Sequence, residues 1–145
     1  MNRDTIIIKL AGIARDEYWN HTSDEGTGDK MAAAVTDSWQ EKVKTEVDKI
    51  DVEVPVFEGV SSKIDIVDMT ERNAYELKVA DNNPQHEFYK DFIKVLVYND
   101  NNLPKIKKLY FITGSNGAAC LNRGFHARAI ETIRRLGIDV EVIGI

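Results

Sequence analysis

Three residues on two neighbouring segments carry the chemistry available to this chain: Asp65, Glu76 and Lys78. Asp65 lies in Lys63-Ile64-Asp65-Ile66-Val67-Asp68, and Glu76 and Lys78 lie in Ala74-Tyr75-Glu76-Leu77-Lys78-Val79. Both runs are short and apolar-rich and are joined through the polar turn at Thr70–Asn73, so they read as adjacent strands of a hairpin. Residues two apart on a strand share a face at a separation of about 6.5–7 Å. Glu76 and Lys78 therefore point one way, and Tyr75, Leu77 and Val79 the other. In a sheet covered on both sides such charges are at least partly buried, and buried charges need partners or a metal. Asp65 supplies the second carboxylate from the neighbouring strand. Two carboxylates and a lysine at one place suit hydrolysis of a phosphodiester: the acids hold Mg²⁺ through oxygen, and the ammonium stabilises charge or orients a water. Asp68 is a rival for Asp65, but three residues on it faces the opposite side of the strand and adjoins the turn. Asp65 sits inside the apolar run, where a free carboxylate is costly, and is preferred.

The elements that must position these residues follow from periodicity. Residues 5–19 read as a first helix with Ile7, Leu10, Ile13 and Ala14 on one side, and Asn20–Asp29 as a loop. A second helix spans about Lys30–Lys49, with an apolar stripe of Val35, Trp39, Val43, Val47 and Ile50. The period then drops to two, giving strands over roughly 52–58, 63–69 and 74–80. Asp81-Asn82-Asn83-Pro84 is a helix-start signal, and the helix it opens runs to about Tyr98. Lys108–Thr113 is a fourth strand, Gly114-Ser115-Asn116-Gly117 a tight turn, and one last helix runs to about Leu136. Gly137 caps that helix, and Ile138–Ile143 form a fifth strand. Three consecutive strands make an antiparallel meander, and the later strand–helix–strand crossover implies a parallel pair. The expectation is a single α/β domain: a central mixed five-stranded sheet flanked by helices on both faces.

The pattern resembles the PD-(D/E)xK, or restriction endonuclease-like, nuclease superfamily. The family's Asp on one strand and Glu-x-Lys on the next match Asp65 and, ten residues on, Glu76-Leu77-Lys78. Its order of helix, three strands, helix, strand, helix, strand matches residues 30–145, which leaves 1–29 as an added N-terminal helix and loop. RecB-like members carry a Gln-x-x-x-Tyr motif after the lysine, and Gln85-His86-Glu87-Phe88-Tyr89 fits it. Gln85 and Tyr89 share a helix face with Phe88, Phe92 and Leu96. Ile64 stands where the family often has proline. The resemblance implies a Mg²⁺-dependent nuclease, with Mn²⁺ able to substitute. Asp65, Glu76 and the Leu77 carbonyl would hold the metal, Lys78 would assist the attacking water, and Gln85 would steady the lysine or a phosphate. Many members add a glutamate from the first core helix. Glu41 lies opposite that helix's apolar stripe and Glu46 within its range, so Glu46 is favoured. DNA is the expected substrate, with RNA open. Cutting two strands with one site per chain calls for a homodimer.

Composition frames these expectations. The chain has 145 residues, 43% apolar and 30% charged, enough for one packed domain. No stretch approaches the roughly 20 apolar residues of a bilayer span, and the N-terminus lacks a secretory-signal pattern. One cysteine, Cys120, precludes an internal disulfide, and with three scattered histidines it offers no zinc cluster. A cytoplasmic, non-membrane protein is expected. The net charge of −5 argues against sequence-blind nucleic-acid binding, but residues 101–145 hold seven basic and three acidic groups, a local +4. Cys120 reads as a packing residue, His86 as surface, and Lys90 and Lys94 as phosphate-facing or solvated. Trp39, Phe88, Phe92 and Phe111 read as core. The alternative to an enzyme is a catalytically silent nuclease-like scaffold that binds nucleic acid or protein.

Overall fold

The computed structural model describes residues 1–19, 28–80 and 83–145. The loop expected over Asn20–Asp29 falls outside the described residues as far as 27, as do Asp81 and Asn82 of the helix-start signal. The elements are α1 (Arg3–Trp19), α2 (Gly28–Glu46), β1 (Ile50–Pro55), β2 (Lys63–Asp68), β3 (Asn73–Lys78), α3 (Pro84–Asn101), β4 (Lys108–Thr113), α4 (Ser115–Leu121), α5 (Gly124–Arg135) and β5 (Asp139–Gly144). The five strands form one sheet in the order β1-β2-β3-β4-β5. The first three are antiparallel, and β3–β4 and β4–β5 are parallel. The mixed five-stranded α/β sheet read from the sequence is therefore present. Among the described residues no helix is long and apolar enough to cross a membrane.

Alternation divides the apolar residues between two cores, with a change of face at Glu53 and Asp65 that sends Val54 and Ile64 to the opposite side from Val52 and Ile66. Ile64, Val67, Ala74, Leu109 and Phe111 pack with Phe88, Phe92 and Val95 of α3 and with Leu121, Ile130 and Ile133 of α4 and α5. Ile66, Tyr75, Leu77 and Ile112 pack on the other face with Trp39 and Val43 of α2 and Ile7, Ala11 and Ala14 of α1. Small alanines on α1 let it approach α2 closely, and the buried Trp39 indole N–H donates to the Ile7 carbonyl at 2.9 Å. Tyr75 and Tyr110 stack in this layer with ring centres 4.8 Å apart.

Several boundaries and faces differ from the sequence reading. Ile13 is exposed, and Ala11 takes its place in the buried stripe of α1. Leu96 is likewise exposed on α3, where Val95 is buried instead. α2 stops at Glu46, three residues early, because Lys49 adopts a left-handed φ of 55° that turns the chain into β1. The single last helix is two, α4 and α5, broken at Asn122–Arg123 where Gly124 takes a positive φ of 58°. Gly114–Gly117 is more than a turn, since α4 begins at Ser115. A Cβ on Gly117 would lie 3.0 Å from Thr113 Oγ1 and 3.2 Å from Pro84 Cβ, so glycine lets α4 press against β4 and α3. Cys120 is free and half-buried.

Candidate functional site

The site lies where the central ladder opens. β2 and β3 pair through Asp68↔Asn73, Val67↔Ala74 and Ile66↔Tyr75, and the pairing ends there. The next pair in register would be Asp65 with Glu76. Instead, Asp65 Oδ2 accepts the Leu77 N–H at 2.9 Å, and Gln40 Nε2 on α2 donates to the Asp65 carbonyl at 2.9 Å. Two side-chain bonds thus replace ladder bonds that a regular hairpin would make. On the other flank, β1 pairs Val52↔Ile66 and Val54↔Ile64, skipping the position where Glu53 faces Asp65. Glu53 has a left-handed φ of 50°. That conformation costs a non-glycine residue about 1–2 kcal/mol, and such strain concentrates at functional sites. Asp65 is unpaired in the ladder on both sides.

The opening forms a cleft of about 300 Å³ reached by elements of both layers. Ala33, Thr36 and Asp37 of α2, Glu53, Asp65, Glu76 and Lys78 of the strands, and Glu87, Lys90, Asp91 and Lys94 of α3 line it. Glu76 is only 3% exposed. Lys94 Nζ lies 2.7 Å from Glu76 Oε1 and 3.0 Å from Asp91 Oδ1, and donates to the Lys63 carbonyl at 2.7 Å. Among the described residues the Glu76 Oε1 atom has no partner besides this ammonium. At the rim, Lys78 Nζ is 3.8 Å from Glu87 Oε1, and Lys90 Nζ is 2.9 Å from Glu87 Oε2.

This crowding sets the proton affinities. Burial, then the negative charges of Asp65 and Asp91, push the Glu76 carboxyl well above the usual carboxylate range, against the pull of Lys94. Burial raises Asp65 as well, opposed first by the Leu77 N–H. Burial pushes Asp91 up to about 6, with Lys94 opposing. Burial alone would lower Lys94, but Glu76 and Asp91 outweigh it and raise it. Glu87 is held low by its hydrogen bond from Lys90. Three acids and one interior ammonium share a small volume, so the inner cleft is short of positive charge.

The sequence-derived residues fare differently. Asp65, Glu76, Leu77 and Lys78 all line the cleft. Lys78 is at the rim with Glu87, whereas Lys94 is the lysine in contact with Glu76. Lys94 is thus neither solvated nor free: its side chain is 15% exposed. Gln85 is half-buried in the first turn of α3 and does not line the cleft. Tyr89 faces away toward α5, its hydroxyl 2.8 Å from His126 Nδ1. Glu46 and Glu41 are exposed on α2 and do not line the cleft; the α2 acid that does is Asp37. Asp68 is fully buried on the opposite face in a bidentate pair with Arg3, at 2.8 and 2.9 Å. The residues that sequence reasoning missed are Gln40, Asp37, Asp91 and Lys94. A signal for two of them existed: Glu87, Asp91 and Lys94 recur at four and three residues, one polar stripe along α3.

Among the described residues no three His, Cys, Asp or Glu side chains are set at metal-binding spacing. The donor chemistry still fits a hard cation: nearly inaccessible Glu76 and half-buried Asp65 meet at a break in the backbone ladder. No family model, no curated protein and no solved structure matches the chain.

Proposed function

We propose that the chain is a divalent-cation-dependent phosphodiesterase of the restriction endonuclease-like kind, acting on DNA. The observation that carries this reading is the meeting of Asp65 and nearly inaccessible Glu76 where β2 and β3 part, with lysines on the cleft wall. The chain order of Asp65 and Glu76-Leu77-Lys78 and the antiparallel-then-parallel sheet support the same assignment. Asp65 and Glu76 would hold Mg²⁺ or Mn²⁺, with the Leu77 carbonyl as a third oxygen. Such a cation supplies Lewis acidity toward a phosphoryl oxygen and lowers the pKa of water.

The chain's own residues do the rest. The Leu77 N–H and Gln40 fix Asp65 so that one carboxylate oxygen remains for a ligand. Lys78, at the rim, meets the phosphate or orients water, and Glu87 holds it in place. Lys90 adds charge at the entrance. With one site per chain, cleavage of both strands uses a homodimer.

The experiment is incubation of the purified protein with plasmid and with single-stranded DNA and RNA, in Mg²⁺, in Mn²⁺ and in EDTA, beside Lys78→Ala. Cutting that needs the metal and is lost in the variant supports the reading. Metal-independent cutting, or cutting unchanged in Lys78→Ala, sinks the site assignment. A second reading, a silent scaffold that binds nucleic acid or protein, is favoured by Glu76 already being paired with Lys94. It expects no cutting of any substrate and no heat on titration with Mn²⁺.

A further inference from the structure

Lys94 is the least expected member of the cleft. It reaches in from the middle of α3, and its ammonium is shared among three oxygens: Glu76 Oε1 at 2.7 Å, Asp91 Oδ1 at 3.0 Å and the Lys63 carbonyl at 2.7 Å. Of these oxygens only Glu76 belongs to the proposed cation site, so the ammonium and a cation would meet at that carboxylate. Of the three oxygens, the Lys63 carbonyl is neutral and the other two are acids, and among the described residues Glu76 Oε1 has no partner besides this ammonium. The ammonium is therefore anchored from the α3 and Lys63 side as well as by its close contact with Glu76. Asp91, one turn before Lys94 on the same helix, gives the ammonium a second acid to rest against.

We propose that Lys94 is the resident counter-cation of the cleft: it neutralises Glu76 in the metal-free protein and yields Glu76 to an incoming Mg²⁺ or Mn²⁺ while remaining on Asp91 and the Lys63 carbonyl. The inference rests on the proposed cation site at Asp65 and Glu76 and adds a competitor to it. An ammonium and a divalent cation cannot both sit against one buried carboxylate at close range without strong repulsion. Every cation bound must therefore displace Lys94 from Glu76, so the affinity for the cation is set partly by the lysine. Metal-free protein is spared a buried, uncompensated glutamate, which would otherwise be costly. Lys94 is thus a positioning residue with two resting places. Lys78, tied to Glu87 at the rim, stays available to substrate.

The test is calorimetric titration of Mn²⁺ into the full chain without nucleic acid, for the wild type, Lys94→Met, Asp91→Asn and Glu76→Gln. Removing the competitor should tighten Mn²⁺ binding at least tenfold in Lys94→Met. Removing the second resting place should weaken it in Asp91→Asn, and Glu76→Gln should abolish it. The opposite signs for two residues in contact separate competition from a general structural role. Lys94→Gln, which retains a donor for the Lys63 carbonyl, replaces Lys94→Met if that variant does not fold. It should also bind more tightly than the wild type. Wild-type binding with equal or weaker affinity in the Lys94 variant overturns the inference and leaves the cation site standing. No binding by the wild type or any Lys94 variant overturns the cation site itself, and the inference with it.

Discussion

β2 carries two aspartates three residues apart, and they have opposite lives. Asp68 faces the α1 layer, where Arg3 grips both carboxylate oxygens at 2.8 and 2.9 Å and the Thr70 and Glu71 N–H groups add bonds at 2.9 and 3.2 Å. Arg3 in turn reaches Asp48 at 2.6 Å, tying α1 to the turn before β1. Asp65 faces the α3 layer, accepts one backbone N–H, and stands beside a second buried acid. The first carboxylate is matched by a guanidinium and by local backbone; the second has the Leu77 N–H and, among the described residues, no ion pair, since Lys94 contacts Glu76 and Asp91 instead. Asp68 is fully buried and fully paired, whereas Asp65 is half-buried and accepts a single backbone N–H, and the proposed cation site draws on that difference.

The largest expected effect breaks the clamp. Asp68→Ala strands Arg3 and two backbone donors, and urea unfolding should show a loss of about 3 kcal/mol. Asp65→Asn at the cleft should change stability by far less, because its anionic form is already disfavoured by burial. Equal losses at the two positions would erase the distinction between them.

The comparison sharpens with pH. The folded-state pKa of Asp91, about 6, lies above its ordinary 3.8. For an acid raised in this way the folded state holds the extra proton, so the Asp91 contribution to stability falls as pH rises from about 4 to about 6 and is level above that, while Glu76 and Asp65 add slopes of the same sign. The penalty is on the order of 3 kcal/mol. Asp91→Asn should remove the Asp91 share of this slope and be the more stable protein at pH 7, as read by denaturation midpoints from pH 4 to 8. A slope unchanged in Asp91→Asn would place the titration elsewhere. A smaller effect, about 1 kcal/mol, is expected for Gln40→Ala, which removes the donor to the Asp65 carbonyl. Amide exchange at Leu77 should accelerate in that variant as Asp65 loosens, and an unchanged rate would mean that Gln40 does not steady the fork.

What could be read in the sequence follows the range of the interactions involved. The β2 and β3 runs declare their strand character locally, so the meander and the facing of Glu76 away from Tyr75 and Leu77 were legible, but the change of face at Glu53 that sends Val52 and Val54 to opposite cores was not. That Asp65 and Asp68 face opposite layers was legible from their spacing, but the full burial of Asp68 was not, because its partner Arg3 lies 65 residues away in sequence. The break at Asn122–Gly124 was not, since helical periodicity continues through it and only the positive φ of Gly124 reveals the corner. Glu46 and Lys94 show the harder limit. Which helix side chain reaches a strand depends on where α2 and α3 lie across the sheet, and no local pattern states that. Hence Asp37 lines the cleft where Glu46 was expected, and Lys94 meets the glutamate that Lys78 was expected to serve.

Glu76→Gln is the most direct test of the fork as a cation-dependent phosphodiesterase. The change keeps the shape and removes only the charge, at a residue whose burial already favours the neutral form. Cutting of plasmid DNA in Mn²⁺ and thermal melting should be measured on the same preparation. The expected result is cutting reduced about a thousandfold, equivalent to roughly 4 kcal/mol of lost transition-state stabilisation, with melting unchanged or raised. Cutting at the wild-type rate by a folded Glu76→Gln protein would contradict the assignment.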